Sequence, residues 1–121
     1  MDSARRRGAL EAGWRAERHV ERLLLESGWS LLARNWRGGG GELDLVVARN
    51  GRVRFVEVKA RSASSDDPWE SLSPRKRERL HGAALEWLQS RGDPQVDCAF
   101  LVALVAMAPQ CWRVDWFDDP F

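Results

Sequence analysis

Residues 41–61 read GELDLVVARNGRVRFVEVKAR, two runs of Val, Leu and Phe around Asn50-Gly51. Asn-Gly is the strongest two-residue hairpin signal, because both central residues of a type I′ turn need positive φ. With Asn50 and Gly51 at the tip, Arg49 faces Arg52, Val47 faces Arg54, Val46 faces Phe55 and Leu45 faces Val56. Continued without a bulge, the register pairs Asp44 with Glu57, Leu43 with Val58 and Glu42 with Lys59. Leu43, Leu45, Val56 and Val58 then share a packed face. Asp44 and Glu57 lie across from each other on the opposite face.

Cross-strand partners have Cβ atoms roughly 4.5–5.5 Å apart, and like charges there destabilise the pair. Such a pair would share a proton, or hold a hard divalent cation such as Mg²⁺, which prefers oxygen ligands and retains water. Lys59 is two residues beyond Glu57 and so points the same way. Of 19 basic residues only Lys59 and Lys76 are lysine. In so Arg-rich a chain an indifferent position would carry Arg, and a compact ammonium differs chemically from a guanidinium fork.

Outward from the hairpin, residues 3–27 have helical spacing through Leu10, Gly13, Val20, Leu23 and Leu24, with Gly28 as the stop. Glu17 falls on the buried side of that helix, where a carboxylate needs a partner. SLLARNW from Ser30 predicts a strand, and the run Gly38–Gly41 a flexible bend whose missing side chains allow a close approach. Ser62–Leu72 has loop chemistry throughout. Ser73-Pro74 opens a second helix as N-cap and N1, with Leu80, Ala84, Trp87 and Leu88 as its apolar face and Gly92 as its stop. QVDCAFLVALVAMA predicts a central strand and CWRVDWF a last one. The order α-β-β-β-α-β-β describes an α/β fold, a mixed sheet flanked by helices, in one domain over 1–121.

Apolar content is 44% and the net charge only +1, so composition by itself does not announce a nucleic-acid binder. The N-terminal segment has no apolar core of a signal peptide, and AFLVALVAMA from Ala99 is about half a membrane span. A cytoplasmic protein without membrane contact is the expectation. Cys98 and Cys111 are expected as free thiols. His19 and His81 carry no assigned role. Trp87, Trp112 and Trp116 suit a core or a dimer seam. Trp36 and Trp69 flank the hairpin end and could stack on bases, although ordinary packing explains each.

Ordinary alternatives stay open for each charge. Asp44 and Glu57 could be surface carboxylates, Glu42 and Lys59 a plain ion pair, and Glu17 a partner of a nearby arginine. Together, a D-x₁₂-E-x-K set across a hairpin with a helical Glu favours chemistry.

GELDLV and FVEVKAR at this spacing resemble the signature of the PD-(D/E)xK nucleases, the restriction-endonuclease-like superfamily. More narrowly, GWRAERHVERLLLESGWSLLARNWRGGGGELDLVVARNGRVRFVEVKARS and SPRKRERLHGAALEWL resemble the UPF0102 or YraN-like family, over roughly residues 9–106. The resemblance implies a restriction-endonuclease-like core and a Mg²⁺- or Mn²⁺-dependent deoxyribonuclease. Asp44 and Glu57 match its metal-binding acids, with Leu43 where the named motif has proline. Lys59 matches the lysine of E-x-K, and Glu17 the helical glutamate of Holliday-junction-resolvase-like members. Lys76 and Glu70 fall where the family has charged residues. QVD at Gln95–Asp97 stands where relatives often carry Arg-Phe-Asp.

On that reading the metal activates water and polarises the phosphodiester, Lys59 assists the water, and Arg15, Arg18, Arg22, Arg75, Lys76, Arg77 and Arg79 are candidates to grip phosphates. Solvated helix faces are the plain alternative for both basic groups. DNA, branched DNA foremost, is the implied substrate, with a homodimer or a protein partner as an option. The rival expectations are a non-catalytic nucleic-acid-binding module with a nuclease fold, acting with a partner, and an ion-binding structural protein.

Overall fold

The computed structural model describes residues 3–61, 73–91 and 96–118, with side chains from residue 10 onward except that of residue 61. The expected loop at 62–72, with Trp69 and Glu70, lies outside the described residues, as do Gly92 and Gln95. The elements are α1 (Ser3–Glu26), β1 (Ser30–Gly38), β2 (Gly41–Arg49), β3 (Arg52–Arg61), α2 (Pro74–Arg91), β4 (Asp97–Met107) and β5 (Trp112–Asp118). This is the expected α/β order. The five strands form one mixed sheet in the order β1-β2-β3-β4-β5, antiparallel except for the β3–β4 pair. β4 is therefore interior but second from the edge, and β3, not β4, occupies the middle.

One helix covers each face. Ala16, Val20 and Leu24 of α1 pack on Leu45, Val47, Val56, Ala103 and Val105. Leu80, Ala83, Ala84 and Trp87 of α2 pack on Leu43, Val46, Val53, Phe55, Phe100 and Val102. This division follows from the strand period of two, which sends alternate residues of β3 and β4 to opposite layers. α1 ends in a Schellman-type cap: Gly28 takes φ 92°, and the Trp29 N–H donates to the Leu24 carbonyl at 3.0 Å. α2 begins as expected, with Ser73 Oγ accepting the Lys76 N–H at 3.2 Å.

The hairpin tip is as expected, with Asn50 and Gly51 at φ 51° and 77°, and the register holds from Arg49–Arg52 to Leu45–Val56. There the ladder stops. β2 stays paired with β1 out to Gly38–Gly41, and β3 stays paired with β4 out to Arg61–Ala106. The sheet thus forks between β2 and β3, and the expected ladder pairs Asp44–Glu57, Leu43–Val58 and Glu42–Lys59 do not form. A backbone irregularity in β1 lies at the same level. Asn35, between the Arg34–Leu45 and Trp36–Leu43 pairs, takes φ 49°. A left-handed residue inside a strand breaks the alternation. Leu43 consequently faces α2 while Leu45 faces α1, so the two do not share a face as the regular register required.

The glycine run makes a tight connection. Gly39 and Gly40 both have positive φ. A Cβ on Gly39 would collide with the backbone of Gly82, and one on Gly41 with the carbonyl of Arg79. The β1–β2 turn therefore lies directly on the backbone of α2, fixing where the start of that helix stands relative to the fork.

Candidate active site

On β3 the α2-facing positions run Val53, Phe55, Glu57, Lys59. The apolar stripe gives way to charge where the sheet forks. Glu57 is 7% exposed, and it is the charged residue in the buried set of the described residues. Opening the fork strips backbone donors of their ladder partners, and an unpaired buried N–H is expensive. The carboxylates supply the missing acceptors. The Asp44 N–H donates to Glu57 Oε2 at 3.2 Å, and the Val58 N–H donates to Asp44 Oδ2 at 2.9 Å. Each acid is thus fastened to the opposite strand.

A cleft of about 910 Å³ opens at the fork. Both helical layers contribute to it: Glu17 from α1, and Arg75, Lys76, Arg79 and Leu80 from α2. β2 and β3 add Glu42, Asp44, Glu57 and Lys59, and the glycine turn lines one side. All four principal site candidates therefore converge. Both lysines of the chain are in this cleft.

Burial dominates the electrostatics. It pushes Asp44 up to about 6, with Glu17 and Glu42 adding to the rise and the Val58 N–H and Lys76 opposing it. Glu57 is raised well above the ordinary carboxylate range, first by burial and then by the Asp44 charge. Lys59 is lowered, by burial and then by Lys76, while Glu57 and Asp44 act the other way. The site thus brings together two carboxyls that resist joint ionisation and a lysine more ready than usual to give up its proton.

The other residues sort by position. Glu17 Oε1 accepts from Asn35 Nδ2 at 2.9 Å, so the strand kink also aims the helical carboxylate. Glu42 pairs with Arg37 at 3.6 Å. Arg77 does not line the cleft, and neither do Arg15, Arg18 and Arg22, which open onto a separate depression beside Trp14 and Trp112. Trp36 packs against the α2-side core. Asp97 pairs with Arg52 and Arg54 at the hairpin-tip end of β3, remote from the fork. Cys98 and Cys111 are free, as expected. Sequence reasoning missed Asn35. Its only signal was an Asn inside a strand pattern, a residue type that tolerates left-handed backbone.

Four cations stand in the first two turns of α2, three of them in the cleft, and its first turn holds no acid. Cations at a helix N-terminus oppose the helix dipole. The arrangement concentrates positive potential on one rim of a cleft whose opposite side is acidic, which suits a bound anion bridged to a cation. Among the described residues no three His, Cys, Asp or Glu side chains form a ready metal-ligand group, and no helix is long and apolar enough to cross a membrane.

Comparison with known sequences places the chain. The model of the uncharacterised protein family UPF0102 matches residues 16–115. The UPF0102 protein BRADO0179 of Bradyrhizobium sp. (strain ORS 278) is 39% identical over 105 residues, which is 86% of this chain and 74% of that protein. The UPF0102 protein SYNW1051 of Parasynechococcus marenigrum is 43% identical over 110 residues, 85% of this chain and 81% of that protein. A UPF0102 protein of Oleidesulfovibrio alaskensis is 41% identical over 105 residues, and the match spans 52% of its length. The matched region carries Glu17, Asp44, Glu57, Lys59 and Lys76, and the chain belongs to the UPF0102 family.

Proposed function

We propose that the cleft at the fork hydrolyses phosphodiester bonds in DNA with the help of a divalent cation. The observation that carries this reading is the Asp44–Glu57 pair, Glu57 buried and Asp44 partly so, locked to opposing strands and sharing the cleft with the chain's two lysines. Hard oxygen donors suit Mg²⁺ or Mn²⁺. The strain in the pair, two carboxyls raised by burial and by nearby negative charge, is relieved by a cation between them. Asp44 and Glu57 would hold the ion, with Glu17 acting directly or through water and further waters completing the shell. Such an ion, when bound, supplies charge compensation at the phosphate and a more acidic water.

The chain's own groups account for the rest. Lys59 stands beside Glu57 with a lowered pKa, so it can orient a water and exchange a proton with it. Lys76, Arg75 and Arg79 line the cation-rich rim and are placed to take phosphate oxygens. Asn35 keeps Glu17 turned inward. DNA as the substrate rests on the resemblance to the restriction-endonuclease-like nucleases.

The test is cleavage of single-stranded, duplex, flapped and four-way-junction DNA in EDTA, Mg²⁺ or Mn²⁺. Metal-dependent cutting that disappears in both Asp44→Asn and Lys59→Ala is the expected result. Salt-dependent binding by folded protein with no cutting of any substrate would replace the nuclease reading with a binding module that needs a partner.

A further inference from the structure

We propose that the depression between α1 and β5 is a second nucleic-acid subsite, taking an unpaired nucleobase and its phosphate from a strand that leaves the cleft. The choice of nucleic acid rests on the proposed function, while the site itself rests on independent features. The depression encloses about 250 Å³ and is lined by Trp14, Arg15, Arg18, His19, Arg22 and Trp112. Among the described residues its lining holds three arginines and no carboxylate. Of the acids beside it, Glu21 is engaged by Arg18 at 3.3 Å and by two bonds from Arg34, and Glu26 is near enough to act on the His19 ring.

Trp14 is 61% exposed, so its indole is open to a ligand. The Arg18 guanidinium lies 5.8 Å from its ring centroid, and the Nε and Nη2 of Arg18 are shielded from solvent with no hydrogen-bond partner among the described residues. Opposite, Trp112 is held edge-on by His19 with centroids 4.9 Å apart, and Arg22 bonds the His19 ring at 3.2 Å. A fixed indole, a free indole and arginines in one hollow are what base stacking with phosphate contact requires.

The placement links the hollow to the cleft. Glu17 lines the cleft and the next residue, Arg18, lines the hollow. A helix with its side chains is about 10–12 Å across, so a strand crossing α1 reaches the hollow within a few nucleotides. Stacking on Trp14 needs an open base face, which a blunt duplex lacks. The implied ligand class is DNA with unpaired nucleotides beside the reacting phosphate, as at a flap, overhang or branch.

The test reads binding of the full chain by fluorescence anisotropy in EDTA, so cleavage plays no part. Probes are a labelled oligothymidylate, a duplex with an overhang and a blunt duplex. Trp14→Ala is expected to weaken binding of the first two about tenfold and to leave the blunt duplex unchanged, with Trp14→Phe restoring most of the loss. Arg15→Gln with Arg22→Gln is expected to reduce the salt slope by about two. Equal affinity of Trp14→Ala and wild type for unpaired DNA would overturn the proposal. So would a change of Trp14→Ala in solution mass without a change in DNA affinity, which would make the patch a contact between copies. Trp14-dependent binding by a protein that cuts nothing would keep this subsite and discard the nuclease reading.

Discussion

Asp44 and Glu57 are joined through the backbone they replace: Glu57 Oε2 accepts the Asp44 N–H, and Asp44 Oδ2 accepts the Val58 N–H where the β2–β3 ladder has ended. The same two carboxyls that would repel across a regular ladder thus serve as the bonds that close its fork. In the proposed function their second oxygens would hold the cation.

This has a consequence for stability. Asp44 stands at about 6 when folded against an ordinary 3.8, so the native state keeps a proton that the unfolded chain has released. Its contribution is complete below about pH 4 and is lost as pH rises through about 6. Without divalent ions, the stability of Asp44→Asn relative to wild type, read from thermal unfolding, is expected to rise by up to about 3 kcal/mol between pH 4 and pH 8. A difference that does not vary with pH would show that Asp44 is not strained.

The glycine turn should be intolerant of side chains. Gly39→Ala would drive a Cβ into the Gly82 backbone and force positive φ on an alanine. A loss of about 1–3 kcal/mol in denaturant unfolding is expected. Because this contact seats the start of α2, DNA affinity should fall as well, even at temperatures where the variant is folded.

Asn35 separates folding from aiming. Asn35→Gly keeps the left-handed backbone and removes the 2.9 Å bond to Glu17. Melting should change little, while turnover drops about tenfold with KM nearly unchanged, as for lost orientation. An unchanged turnover would free Glu17 from any part in the chemistry.

The two lysines should not accept arginine. Lys59→Arg and Lys76→Arg keep the charge and replace a compact ammonium by a fork. Lys59→Arg is expected to lower turnover by about a hundredfold or more, whereas Lys76→Arg should act mainly on KM. Wild-type rates from Lys59→Arg would reduce that residue to bulk charge.

Much of this was legible in the sequence because it is local. Asn50-Gly51 demands a type I′ tip, and strict alternation along β3 delivers Glu57 and Lys59 to one face. Ser73-Pro74 opens α2 by its own chemistry. The fork was not legible, since it lies level with a left-handed Asn35 in a neighbouring strand that the pattern does not announce, and a regular register put Leu43 on the wrong face. The glycine run showed that something approaches closely, but only the fold shows that it is Gly82 of α2. The grouping of the basic residues by helix agrees with the structure except at Arg77: Arg75, Lys76 and Arg79 line the cleft with the carboxylates, and Arg15, Arg18 and Arg22 line the hollow with Trp14 and Trp112.

The most direct test of the carboxylate pair as a cation site is a calorimetric titration of Mn²⁺ into wild type, Asp44→Asn and Glu57→Gln across pH 5 to 8. Wild type should bind with affinity that rises through about pH 6, releasing protons as it does so, and both variants should lose at least a hundredfold in affinity. Equal Mn²⁺ binding by wild type and the two variants, or affinity indifferent to pH, would contradict the account.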